Sequence, residues 1–155
     1  MIAGITGHRP DKLGGWDPLH HVVARVRKGL RHALAANWPE YAISGMALGT
    51  DTWFVETCVE LGIPFVAALP CDDMERTWPL PSQQRHRALL AKAKEIVVVS
   101  PGPYKPWKMQ KRNEWVVDHC TLLMKVFDGS PGGTYNCLEY AAQVGREVFD
   151  VPWRD

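Results

Sequence analysis

Six short apolar runs, each separated from the next by a stretch of different periodicity, restrict this chain to very few architectures. IAGITG begins at Ile2, YAISGM at Tyr41, PFVAALP spans 64–70, EIVVVS spans 95–100, TLLMKVFDG spans 121–129, and EVFDVPW begins at Glu147. They are short, rich in β-branched residues and almost continuously apolar, as strands buried on both faces are. Between them lie segments of helical spacing. From Asp17 to Ala36, apolar residues fall at Leu19, Val22, Val23, Val26, Leu30 and Leu34, a period close to 3.6. A second helix is expected from Thr50-Asp51, read as its cap, to Leu61, where Gly62 and Pro64 end it. Ser82 to Ala93, Lys108 to His119 and Thr134 to Val144 read as three more, the last stopped by Gly145. Strands alternating with helices predict an α/β chain: a Rossmann-like three-layer sandwich with a mostly parallel sheet.

The length of 155 residues is that of one domain with its own core, spanning 1–155. Eighteen Lys and Arg against 17 Asp and Glu leave a formal net charge of +1, which argues against nucleic acid and membrane as partners in bulk. One local exception is KPWKMQKR, Lys105 to Arg112, basic with an aromatic residue inside it, a feature that single-strand binders share. The opening MIAGITG has neither the charged leader nor the apolar run of an export signal, and no stretch approaches the length of a membrane span. Cys58, Cys71, Cys120 and Cys137 lack CxxC spacing and are expected as reduced thiols in a cytoplasmic protein. The six histidines form no HxH or HxxxH pair, so no metal is expected, and no cofactor is called for.

In sheets of this kind ligands bind beyond the carboxyl ends of the strands, which directs attention to the loops there. Four are rich in the appropriate residues: GHRPDKLGG (7–15), SGMALGTD (44–51), SPGPYKPWK (100–108) and DGSPGGT (128–134). Glycines let backbone amides approach an anion, and a following helix adds free N–H groups and a positive dipole end. One such loop is ordinary turn punctuation. Several at one sheet edge point to an anionic ligand of nucleotide size. Gly7, His8 and Arg9 would meet it from the first loop. Gly45, Gly49, Thr50 and Asp51 would form a second wall, with Asp51 either capping its helix or accepting a ribose hydroxyl. Tyr104 or Trp107 would stack on a base.

The strings GHRPDKLGGW (7–16), SGMALGTDTW (44–53) and WVVDHCTLLMKVFDGSPGGTYNCLEYA (115–141) resemble the YpsA-like branch of the SLOG superfamily. That superfamily also holds the LOG phosphoribohydrolases and the DNA-processing protein DprA. The resemblance implies a Rossmann-like domain that binds a nucleotide or nucleotide-derived ligand, and it suggests a dimer. LOG enzymes cleave the N-glycosidic bond of nucleoside monophosphates with a glutamate in a PGGxGTxxE motif and an arginine on the preceding helix. Laid on this chain, the motif keeps Pro131-Gly132-Gly133, brings its glutamate to Glu139 and replaces the second Gly-Thr with Tyr135-Asn136; its arginine falls on Arg112. Such a site needs a carboxylate for an oxocarbenium-like sugar and donors for the phosphate. The resemblance assigns the carboxylate to Glu139, with Asp128 as the alternative because it ends a strand facing the same crevice. Gly132, Gly133 and Thr134 would cradle the 5′-phosphate, and Arg112 would pair with phosphate or orient the carboxylate. Three functions compete: a nucleotide N-glycosidase, a non-catalytic sensor of a nucleotide or ADP-ribose-like ligand, and a single-stranded nucleic-acid module, the last disfavoured by the charge.

Overall fold

The two periodicities of the sequence sort into a single sheet and its covering helices. The computed structural model describes residues 1–154. In chain order it contains β1 (Ile2–Gly7), α1 (His21–Asn37), β2 (Tyr41–Ser44), α2 (Thr50–Leu61), β3 (Phe65–Leu69), α3 (Leu80–Leu90), β4 (Glu95–Val98), α4 (Pro106–His119), β5 (Leu122–Val126), α5 (Gly133–Gln143) and β6 (Glu147–Asp150). Short 3-10 turns occupy Pro10–Lys12 and Met74–Thr77.

The six strands are all parallel, in the order β4-β3-β2-β1-β5-β6. The chain steps outward from β1 to β4, then returns through α4 to lay β5 against the free side of β1. The direction of winding therefore reverses between β1 and β5, and at such a reversal the neighbouring loops splay apart and leave a crevice.

The alternation of side chains along each strand divides the core in two. On one face Ala42, Phe65, Ala67 and Met124 pack with Val26 and Leu30 of α1, Phe54 of α2 and Leu89 of α3. On the other, Ile43, Val66, Ala68 and Leu123 meet Val116 and Val117 of α4 with Cys137 and Ala141 of α5. Phe54 and Phe65 are almost wholly buried, so truncating either would cost about 3–5 kcal/mol through lost transfer energy and the cavity left behind.

Three sequence expectations are corrected. The first helix starts at His21, not Asp17: the Asp17 carboxylate accepts the Leu19 amide in a turn, His20 Nδ1 accepts the Val22 amide as the cap, and Leu19 is left 88% exposed. The runs at 95–100 and 147–153 contribute edge strands rather than strands buried on both faces, with Ile96 and Val148 exposed. The cap of α2 is Gly49, at a φ of 86°, and no side chain bonds to the first turn.

Among the described residues no helix is long and apolar enough to cross a membrane.

Candidate functional site

A cleft of about 310 Å³ opens where the winding reverses, between the carboxyl ends of β1, β2 and β5. Its walls come from three of the four loops singled out in the sequence and from α4. Of the expected residues, Gly7, His8, Arg9, Gly45, Asp51, Arg112, Gly132, Gly133 and Thr134 line it.

The floor on the β5 side is the start of α5. Its N-cap is Gly132, which has no side chain to accept the orphan amides of the first turn. A glycine is required there because φ is 142°, outside the range that L side chains adopt. Thr134, one residue into the helix, is buried with its side chain on the cleft wall. Lys12, from the first loop, donates to Ser130 Oγ at 2.9 Å and to the Pro131 carbonyl at 3.1 Å, so its ammonium is held against this helix start. Arg9 lines the cleft as well, close enough to Asp51 to pull its carboxyl down. Amides, dipole and the Lys12 ammonium thus converge on one end of the cleft, an arrangement suited to an anion.

The opposite wall holds a buried acid–base pair. Arg112 of α4 is 3% exposed, donates through Nη1 to the Gly45 carbonyl, and donates through Nε to Asn113 Oδ1 at 2.9 Å. Asp51, in the first turn of α2, is 7% exposed and accepts the Ala47 amide on Oδ2 at 3.2 Å. Burial pushes the Asp51 carboxyl up to about 6, against the opposing pull of Arg112, the Ala47 amide and Arg9. Burial likewise lowers the Arg112 guanidinium from its ordinary value, while Asp51 opposes that shift. An arginine stays charged even so. Asp51 is therefore a cleft carboxyl divided between its two protonation states not far below neutrality.

His8 and Asp128 tie the β1 and β5 loops together. His8 Nε2 lies 2.7 Å from Asp128 Oδ1 and 3.0 Å from the Asp128 amide nitrogen. One nitrogen cannot donate to the first and accept from the second, and the shorter, charge-assisted contact sets Nε2–H as the donor to the carboxylate. Asp128 also accepts the Ser130 hydroxyl at 2.6 Å and the Ser130 amide at 2.9 Å. Those bonds, followed by the one from His8, hold its carboxyl well below the usual range. Asp128 thus pins the loop, and its carboxylate lies outside the cleft lining.

Other expected residues also fall outside the lining. Thr50 sits behind the first loop, its hydroxyl donating to the His8 carbonyl at 2.9 Å, and Gly49 packs against the same carbonyl. Trp107 projects from the start of α4 and is 57% exposed. Glu139 is exposed on α5, hydrogen-bonded to Tyr135, while Thr134 and Cys137 occupy the face of that helix that meets the cleft. Of the four cations in the basic run at 105–112, Lys105 and Lys111 are exposed and the other two are buried. Lys108 is buried, donating to the carbonyls of Pro101 and Pro103 at 2.9 and 2.8 Å, and Arg112 is buried as described.

Sequence reasoning passed over Lys12, Ala47, Met109 and Asn113 as cleft residues. Lys12 lay within a loop already singled out, and a cation within a glycine-rich strand-to-helix loop is a usable signal. Cys137 lines the cleft, but burial pushes its thiol up to about 11, so it is not a thiolate at neutral pH. No group of three or more potential ligands among the described histidines, cysteines and carboxylates is placed to hold a metal.

The model of the YspA SLOG family matches residues 3–148. A SPbeta prophage-derived protein of Bacillus subtilis, YoqJ, is 36% identical over 125 residues, covering 69% of this chain and 73% of its own. Among solved structures, DNA processing protein A superposes from Helicobacter pylori (TM-score 0.71, 18% identity, 99% of this chain and 66% of that one) and from Streptococcus pneumoniae (0.65, 18%, 96% and 49%). The present chain thus spans about half the length of the pneumococcal protein and just under two thirds of the other. The molybdenum cofactor carrier protein of Chlamydomonas reinhardtii superposes with a TM-score of 0.58 at 15% identity, over 96% of this chain and 74% of that one. At such identities these likenesses concern the fold.

Proposed function

This chain belongs to the YspA SLOG family, and we propose that its cleft binds a nucleotide or nucleotide-derived anion with a phosphate seated at the start of α5. The observation that carries this reading is the uncapped first turn of α5, opening on the cleft beside Lys12 and Thr134. A phosphate there would accept from backbone amides and the Thr134 hydroxyl while the Lys12 ammonium offsets its charge. The test is calorimetric titration of ribose 5-phosphate and of inorganic phosphate into the wild-type protein. Saturable binding that weakens in Lys12→Ala supports the reading, and absence of heat with either probe removes it.

A hydrolytic extension is favoured by one observation: Asp51, a carboxyl raised to about 6, lines the same cleft. In N-glycosidic cleavage, water adds to the anomeric carbon as the bond to the base nitrogen breaks, and a carboxyl divided between its two forms can activate the water or protonate the departing base. Asp51 fits that role better than Glu139, which points away from the cleft. Base release from a nucleoside 5′-monophosphate, lost in Asp51→Asn and retained in Glu139→Ala, would establish it. Binding without release leaves a sensor or carrier. The cytoplasm and a dimer are the expected setting on the same reading.

A further inference from the structure

A second cleft, of about 870 Å³, adjoins the first and shares Arg9, Ala47 and Met109 with it. It lies between the segment after β3 and the loop after β4, and its lining includes Tyr104, expected from the sequence to stack on a base, but not Trp107. Its lining includes Trp78 and Tyr104, Met74 and Met109, the carboxylates Asp72 and Asp73, and Arg76.

These walls are built. The Asp72 amide donates to the Gly102 carbonyl at 3.0 Å, and the Gly102 amide returns a bond to Asp72 Oδ2 at 3.0 Å, clamping the two loops together. The buried Lys108 ammonium gathers the Pro101 and Pro103 carbonyls from beneath. Trp78 stands edge-on to the buried His86 ring at 5.2 Å, and Gln83 Nε2 donates to the Trp78 carbonyl at 2.9 Å. Trp78 is therefore positioned before any ligand arrives, while Tyr104 stands 60% exposed on the clamped loop.

The first cleft lies at the lower end of the volumes of small-molecule sites, so a sugar phosphate largely occupies it. The shared boundary at Arg9, Ala47 and Met109 gives a ring attached to that sugar a route into the second cleft. The chemistry beyond the boundary suits a planar ring: aromatic and thioether surfaces for its faces, and carboxylates that accept from amino groups on its rim.

Resting on the phosphate reading, we infer that the second cleft is the base subsite of the same ligand, taking a planar nitrogenous ring with an exocyclic amino group against Trp78 and Tyr104. The glycosidic bond then falls at Ala47, whose amide is bonded to Asp51.

The test compares ribose 5-phosphate, adenosine, adenosine 5′-monophosphate and inosine 5′-monophosphate by calorimetry on wild type, Trp78→Ala, Tyr104→Ala and Asp73→Asn, each first checked for an unchanged thermal midpoint. Stacking predicts that adenosine 5′-monophosphate binds at least about fivefold tighter than ribose 5-phosphate, and that the gain shrinks in Tyr104→Ala and Trp78→Ala. Ribose 5-phosphate affinity stays constant in both variants. The adenosine ligand outcompetes the inosine ligand in wild type and loses that advantage in Asp73→Asn. Equal affinities for the phosphates with and without a base overturn the inference and leave the phosphate reading standing. A ring variant that folds but weakens ribose 5-phosphate equally overturns it as well, because the role of the aromatic residue is then structural. Binding of adenosine without binding of ribose 5-phosphate would keep the ring subsite and discard the phosphate anchor.

Discussion

Arg112 and Gly45, 67 positions apart, are joined by a buried hydrogen bond from the guanidinium Nη1 to the glycine carbonyl. The bond fastens α4, the helix that carries the chain back across the sheet, to the loop after β2. It also explains the residue type at 45: a Cβ there would stand 2.7 Å from Cζ and Nε of Arg112.

Gly45→Ala should accordingly destabilise the protein by about 1–3 kcal/mol, the usual cost of overpacking an interior that cannot yield. Urea denaturation measures it. A change below about 0.5 kcal/mol, the range of ordinary surface substitutions, would mean that Arg112 has room to move aside.

Asp51 makes stability depend on pH. Its carboxyl is raised in the folded protein, so the stability it contributes is fully present below the unfolded value of about 3.9 and is lost as pH rises through about 6. Asp51→Asn, which keeps the acceptor and removes the charge, should be more stable than wild type by about 2–3 kcal/mol above about pH 7, and no different near pH 4. Thermal midpoints across that range check both the size and the sign.

Much of this was legible in the sequence, and the exceptions share a cause. The strands were readable because apolar runs such as IAGITG and PFVAALP are too short for a helix and are bounded by glycine or proline. The glycine loops were readable because their positions follow from the strand order. Glu139 was placed by spacing along a motif. Its direction depends on helical phase, and Thr134, Cys137 and Ala141 take the inward face and leave Glu139 outside. Asp51 looked like a cap because aspartate at a helix start commonly is one, and only the depth of the loop before it reveals the burial. Leu19 fitted a helical period that Pro18 and the Asp17 turn prevent from forming.

Glu139→Ala should leave ligand affinity unchanged and global stability within about 0.5 kcal/mol of wild type, as for an exposed side chain outside the cleft lining. Titration of the tyrosine absorbance supplies a positive control: the Tyr135 hydroxyl, held up by its hydrogen bond to Glu139, should ionise at lower pH in the variant. A tenfold loss of affinity would return Glu139 to the site.

Lys12→Ala should weaken phosphate-bearing ligands by about three- to tenfold, a modest effect because the ammonium is exposed and screened by salt. Repeating the titration at high salt should shrink the difference between wild type and variant. A loss confined to phosphate-free ligands would contradict the placement of the anion.

Two helices at the cleft, α2 and α5, begin at glycines that offer no side chain to their first turns. A serine or aspartate N-cap closes such a turn from within the chain. At α5 the closing acceptor has to be water or a guest, so the covalent sequence specifies a helix one partner short of complete. Occupancy would then be written into the backbone itself, as slowed hydrogen exchange at Thr134 and Tyr135, and the protein would carry a readout of its own ligation that needs no domain movement to operate.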